Sequence, residues 1–86
     1  MKVLVVDDSL YMRSIITDSL TSAGYEVIAQ AANGEDAIDL ALEHKPDLIT
    51  LDNILPDMLG IDILRVLKID EKLESKIVMV SAVGVS

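Results

Sequence analysis

Residues 3 to 13 read VLVVDDSLYMR. Four apolar residues, Val3 to Val6, run directly into two adjacent carboxylates, Asp7 and Asp8. A short β-branched run of this kind suits a strand buried on both faces. Neighbouring carboxylates in a poorly hydrated place resist being ionised together, so the end of this strand carries an electrostatic cost that asks for a purpose. Beyond it, Met12, Ile15, Ile16, Leu20 and Ala23 recur at helical spacing. Asp8 or Ser9 is available as N-cap and Gly24 as the stop, which predicts a helix over residues 9 to 23.

The same alternation continues to the end of the chain. Tyr25 to Gln30 reads as a second strand and Ala32-Asn33-Gly34 as a turn. A second helix carries Ala37, Ile38, Ala41 and Leu42 on one face and is expected to stop before Lys45-Pro46, because a residue preceding proline is pushed out of helical geometry. Leu48 to Leu51 is a third strand, again ending in a carboxylate, Asp52. A loop with Pro56 and Gly60 leads to a third helix over residues 61 to 69, DEKLES is a polar connector, and Lys76 to Val80 is a fourth strand. Strictly alternating strands and helices predict a parallel sheet built from right-handed crossovers. If the connections reverse direction after the second strand, constant handedness puts the first helix on one face and the other two on the opposite face.

Composition narrows the function. With 86 residues the chain is one domain, and 15 acidic against 7 basic residues give a net charge of −8. No Lys/Arg cluster occurs, so neither nucleic acid nor an anionic membrane is an expected partner; a metal cation or a basic protein surface fits better. There is no cysteine, which excludes a disulfide framework and a thiolate metal site. The start reads as a strand without a signal peptide, and no apolar run is long enough to span a membrane, so the expected compartment is the cytoplasm. Trp and Phe are absent, so the core is aliphatic.

Asp7, Asp8 and Asp52 all fall at C-terminal strand ends, the edge at which open α/β sheets bind ligands. If the first and third strands are neighbours, the three carboxylates converge, and a hard divalent cation with oxygen ligands and retained waters, Mg²⁺ for preference, relieves their repulsion. Taken singly, each aspartate reads as a cap for the helix or loop that follows. Taken together at matching strand ends they read as a site.

These motifs carry a resemblance. Asp7-Asp8 after VLVV, PDLITLD ending in Asp52, LPDMLG at residues 55 to 60 and VMVSA at 78 to 82 together resemble the receiver domain of two-component response regulators, in its stand-alone chemotaxis form. The resemblance implies a flavodoxin-like doubly wound parallel sheet, with the strands present in order 2-1-3-4 and three helices. It implies that Asp52 accepts a phosphoryl group from a histidine kinase. Asp8 would ligate Mg²⁺ directly and Asp7 mainly through water, with Asp52 and the backbone carbonyl of Ile54 completing the protein ligands. The Ser81 hydroxyl would meet a phosphoryl oxygen, assisted by the Ala82 amide. Phosphoryl transfer asks for charge neutralisation and in-line positioning more than covalent help, which suits such a site.

The chain also departs from the family pattern. Residues 1–86 read as a partial receiver domain in which the fifth strand, with its aromatic residue and lysine, and the last two helices are missing. None of Lys68, Lys72 and Lys76 stands at the matching place. Half of the sheet face that carries the first helix is then expected to be bare, and KIVMV forms an apolar edge, so a homodimer or a domain-exchanged oligomer is expected. Ile54 and Val83 flank the expected phosphoryl site; both are apolar, so neither can orient a hydrolytic water. Ser81 read alone is a helix cap, His44 suits a helix C-terminus better than a metal, and Met12, Met58 and Met79 read as core or loop packing. The third helix is apolar on more than one side.

The chain is not expected to be an enzyme, beyond catalysing its own phosphorylation and dephosphorylation. One rival is a dimerising structural fragment with a vestigial acid cluster. Another is a Mg²⁺-dependent phosphohydrolase, which the adjacent rather than alternating aspartates and Ser9 disfavour.

Overall fold

The computed structural model describes residues 1–80; Ser81, Ala82 and Val83 lie outside them. The elements follow in the order β1 (Lys2–Val6), α1 (Leu10–Ser22), β2 (Glu26–Ala31), α2 (Gly34–His44), β3 (Leu48–Asp52), α3 (Gly60–Arg65) with a π-helical turn at Val66–Asp70, and β4 (Lys76–Val80). The four strands are parallel in the order β2-β1-β3-β4. This is the expected doubly wound arrangement, and it makes β1 and β3 neighbours.

β1 is the centre of the molecule, with Val3, Leu4, Val5 and Val6 all at most 1% exposed. One face of the sheet forms the main core: Leu4, Val6, Ala31, Ile49 and Leu51 pack with Ala37 and Ala41 of α2, Ile63 of α3 and Leu67 of the π-helical turn. The opposite face carries α1, which buries none of its residues fully. Among the described residues β4 is an edge, with Val78 and Met79 substantially exposed.

Helix boundaries follow from local chemistry. Ser9 caps α1, its side chain accepting from the Met12 N–H at 3.2 Å. At the other end Gly24 has φ +93°, its N–H donates to the Thr21 carbonyl, and the Tyr25 N–H donates to the Leu20 carbonyl. This Schellman closure uses Tyr25, so β2 starts at Glu26, one residue later than the apolar run suggests. β2 also extends to Ala31, because a bulge at Ile28 shifts its register against β1 between Val3 and Leu4. α2 stops at His44, before Lys45-Pro46 as expected, yet Lys45 sits in the left-handed region at φ 46° rather than in an extended conformation. That region is also open to a residue before proline, and it lets the Lys45 N–H close onto the Ala41 carbonyl.

The third helix departs most from expectation. It begins at Gly60 and widens after Arg65 into the π-helical turn, where Glu71 N–H reaches the Val66 carbonyl. Its apolar breadth divides into buried Ile63 and Leu67 and exposed Ile61 and Ile69. Lys68 then clasps the carbonyls of Leu73 and Ser75, and the Ser75 hydroxyl donates to the Pro46 carbonyl, which fixes the approach to β4. Met58 packs against the core, whereas Met79 remains 40% exposed on the edge strand. His44 ends α2 and lies 3.3 Å from Glu43, far in the fold from the strand ends that carry the aspartates.

Candidate functional site

The C-terminal ends of β1 and β3 deliver the acidic cluster. Val6 pairs with Leu51 in the sheet, so Asp7 and Asp52 emerge side by side one residue further on. Carboxylate oxygens of Asp7, Asp8 and Asp52 all lie within 4.8 Å of one another; Asp7 is buried, Asp52 half-buried and Asp8 exposed. The three residues singled out in the sequence thus converge.

Asp7 is fixed on every side. Its N–H donates to the Ala31 carbonyl at 3.0 Å, a bond that the β2 bulge brings into register. Its own carbonyl accepts from Arg13 Nη1 at 2.6 Å, and its Oδ1 accepts the Ser9 N–H at 2.9 Å. Arg13 was given no role from sequence, although its position on the first turn of α1 is what lets it reach back to the strand end. It is bonded to the peptide of Asp7, not to the carboxylates.

The Asp52 carboxyl is raised above its ordinary value of 3.8. Desolvation at the strand end is the largest cause and the Asp7 charge the next; the backbone N–H of Asn53 lowers it, Asp8 raises it, and the Ile54 N–H lowers it again. Ionised Asp52 is therefore held among like charges in a partly dry place. A hard cation removes that repulsion, and clustered carboxylate oxygens are the kind of donor that Mg²⁺ takes. The residues fit the ion.

Behind Asp52 the β3–α3 loop is tightly constrained. A Cβ added at Gly60 would press on the Asp52 carbonyl oxygen and on Met79 Cε, so only glycine fits there. Gly60 N–H donates to the Asn53 carbonyl at 2.7 Å, Leu55 N–H donates to the Met58 carbonyl at 3.0 Å, and Ile54 pairs with Leu59. At the loop tip the Asp57 carboxylate accepts the N–H groups of Gly34 and Glu35, at 2.7 and 3.0 Å, and these bonds hold its pKa below the ordinary value. Asp57 too was passed over in the sequence, because no local pattern announces a partner 23 residues upstream.

Comparison with known proteins decides the family. The response regulator receiver domain model matches residues 3–86. The chain belongs to the response regulator receiver family. It is 44% identical over 84 residues to the chemotaxis protein CheY of Thermotoga maritima, covering 96% of this chain and 68% of that protein, and equally so to CheY of Bacillus subtilis. It is 48% identical over 82 residues to a protein-glutamate methylesterase/protein-glutamine glutaminase of Archaeoglobus fulgidus, where it covers 95% of this chain and 23% of the other.

Solved receiver structures superpose closely. The response regulator domain of Thermotoga maritima CheB gives a TM-score of 0.88 at 37% identity, over 95% of this chain and 60% of that one. CheY of Borrelia burgdorferi, crystallised with CheX, BeF₃ and Mg²⁺, gives 0.90 at 36% identity, over 98% of this chain and 63% of that one. This receiver sequence therefore spans about two thirds of the CheY proteins, and slightly less of the chains in those two crystals. No helix among its described residues is long and apolar enough to cross a membrane.

Proposed function

We propose that this receiver takes a phosphoryl group onto Asp52 from the phosphohistidine of a sensor histidine kinase, with Mg²⁺ held by Asp7, Asp8, Asp52 and the Ile54 carbonyl. The observation that carries the reading is the meeting of three carboxylates from two adjacent strand ends. An Asp52 oxygen attacks phosphorus, the bond to the histidine nitrogen breaks, and the acyl phosphate remains on Asp52 while the imidazole leaves. The bound cation supplies charge neutralisation for the incoming phosphoryl oxygens. Asp7, anchored by Ala31, Ser9 and Arg13, keeps its carboxylate beside Asp52, and the Asn53 and Ile54 N–H groups favour the ionised acceptor. The crystallisation of a CheY relative with BeF₃ and Mg²⁺ supports the same assignment.

In this reading the protein acts in the cytoplasm, is not an enzyme toward a separate substrate, and has a kinase rather than nucleic acid or membrane as its partner, in keeping with a net charge of −8. Incubation with acetyl phosphate and Mg²⁺, followed by intact-mass measurement, tests it. One added phosphoryl group, absent from Asp52→Ala and from samples with chelator, is the expected result. No addition to the unaltered chain under any Mg²⁺ concentration overturns it.

A second reading is a homodimer or domain-exchanged oligomer whose acid cluster is vestigial. It is favoured by the exposed apolar side chains of β4 and by α1, which leaves Leu10, Tyr11 and Ile15 exposed. Light scattering with and without Mg²⁺ and acetyl phosphate separates the two. A dimer indifferent to the phosphodonor supports the second; a mass that responds to the donor, and not in Asp52→Ala, supports the first.

A further inference from the structure

The loop that follows Asp52 is a small hairpin with a base, a turn and an anchored tip. At its base the Asn53 carbonyl accepts from Gly60, and further out Leu55 donates to Met58, with Ile54 and Leu59 opposite each other between these bonds. Residues paired in this way leave their own N–H and C=O directed away from the partner strand. The Ile54 peptide is therefore turned out of the hairpin, two residues beyond Asp52, and its N–H is one of the backbone groups that lower the Asp52 pKa. Whatever sets the tilt of the hairpin sets the position of that peptide.

The tip is held from outside. Asp57 accepts one N–H of α2 on each carboxylate oxygen, from Gly34 at 2.7 Å and from Glu35 at 3.0 Å. The helix has a cap of its own besides: Asn33 Oδ1 accepts the Asp36 N–H at 2.8 Å. Next to Asp57, Met58 lies so close over Gly34 that a Cβ there would stand 2.6 Å from the Met58 sulfur. The tip is thus clamped onto the first turn of α2 by two hydrogen bonds and one packing contact, and Asp57 is the exposed, chemically specific part of the clamp.

We infer that Asp57 is a positioning residue for the phosphoacceptor site: by fastening the 53–60 hairpin to the start of α2, it sets where the Ile54 peptide stands beside Asp52. Loss of a carboxylate that accepts the first N–H groups of a helix lowers stability only modestly, whereas displacement of a group that orients a metal ligand lowers metal affinity on the order of tenfold. Coupling between two places is reciprocal, so occupancy at the Asp52 site must also tighten the bonds at Gly34 and Glu35. The inference rests on the reading of Asp52, Asp7 and Asp8 as a Mg²⁺ site.

The test is calorimetric titration of Mg²⁺ into the full chain and into its Asp57→Ala, Asp57→Asn and Asp52→Asn forms, together with amide hydrogen exchange on the unaltered chain with and without Mg²⁺. Asp57→Ala is expected to weaken Mg²⁺ binding on the order of tenfold. Asp57→Asn, which keeps one oxygen acceptor, recovers part of the loss, and Mg²⁺ slows exchange at the Gly34 and Glu35 amides of the unaltered chain. Unchanged affinity in Asp57→Ala, or exchange at those amides that ignores saturating Mg²⁺, overturns the inference; the exchange result stands alone if Asp57→Ala does not fold. If the unaltered chain binds no Mg²⁺, the metal-site reading falls with it. If it binds Mg²⁺ and Asp52→Asn abolishes binding while the Asp57 forms match the unaltered chain, only the positioning role falls.

Discussion

Asp52 and Asp7 meet across the neighbouring ends of β3 and β1, and the Asp52 carboxyl titrates above 3.8 because burial strips water from it and, next, because the Asp7 charge faces it. A carboxyl raised on folding binds its proton more tightly in the folded chain than in the unfolded one. Its ionisation therefore opposes folding, and this penalty appears as pH rises from 3.8 through the folded value and persists at neutrality. Asp52→Asn is expected to stabilise the metal-free chain at neutral pH by less than about 1 kcal/mol, the site being open enough for water to screen it. The gain disappears below 3.8. Urea unfolding of both forms across pH measures this, and Mg²⁺ should stabilise the unaltered chain more than the variant.

Asp57 carries the opposite sign. The Gly34 and Glu35 amides lower its pKa, so what its ionised form contributes is present above 3.8 and is lost as pH falls through the lower folded value. Removing Asp57 should flatten the acid limb of the stability profile, whereas Asp52→Asn should flatten the limb above 3.8. The two substitutions can be told apart by pH alone.

Gly60 has no room for a side chain because the Asp52 carbonyl fills the place. Since the obstacle is backbone, Gly60→Ala is expected to cost about 1 to 3 kcal/mol through forced displacement of the loop. That displacement moves the acceptor residue itself, so phosphorylation by acetyl phosphate should fall together with stability. A variant of unchanged urea midpoint would show that the loop yields freely.

Ile63 and Leu67 are the residues by which α3 and the π-helical turn reach the core, each with 0% exposure. Ile63→Ala or Leu67→Ala should cost about 2 to 5 kcal/mol, a large share of the roughly 5 to 15 kcal/mol that holds a domain together. A thermal midpoint lowered by about 10 °C or more in either variant is the expected observation. By contrast Ile61→Ala and Ile69→Ala, at exposed positions of the same stretch, should leave the midpoint nearly unmoved.

The alternation of strands and helices and the aspartates at strand ends were legible because each rests on short-range pattern: an apolar run, a carboxylate at its end, and a helix period between runs. Handedness alone leaves the order of the strands open; the order 2-1-3-4, and with it the neighbouring ends of β1 and β3, came from the resemblance to receiver domains. What could not be read depends on contacts between distant segments or on small changes of backbone count. The extra residue at Ile28 that seats Ala31 opposite Val6 and brings its carbonyl to the Asp7 N–H, the π-helical widening after Arg65 and the left-handed Lys45 have no compositional signature. Asp57 stood inside a recognised motif, yet its partners lie in the first turn of α2 and were invisible without the fold.

On the proposed phosphorylation of Asp52, Ile54 bears on the lifetime of the acyl phosphate. Its peptide serves Asp52, while its side chain is 61% exposed and offers no hydrogen bond to a water approaching the acyl phosphate. Hydrolysis needs a water held in line with the bond to be broken, and an amide at this position can hold one without disturbing the backbone. Ile54→Asn is therefore expected to shorten the lifetime of the acyl phosphate on the order of tenfold, equivalent to about 1.4 kcal/mol in the barrier. The rate of phosphorylation from acetyl phosphate should stay close to that of the unaltered chain, because the Ile54 N–H and carbonyl are unchanged. Decay followed by intact mass after removal of the donor gives the answer; an unaltered lifetime would mean that water reaches phosphorus by a route that this side chain does not govern.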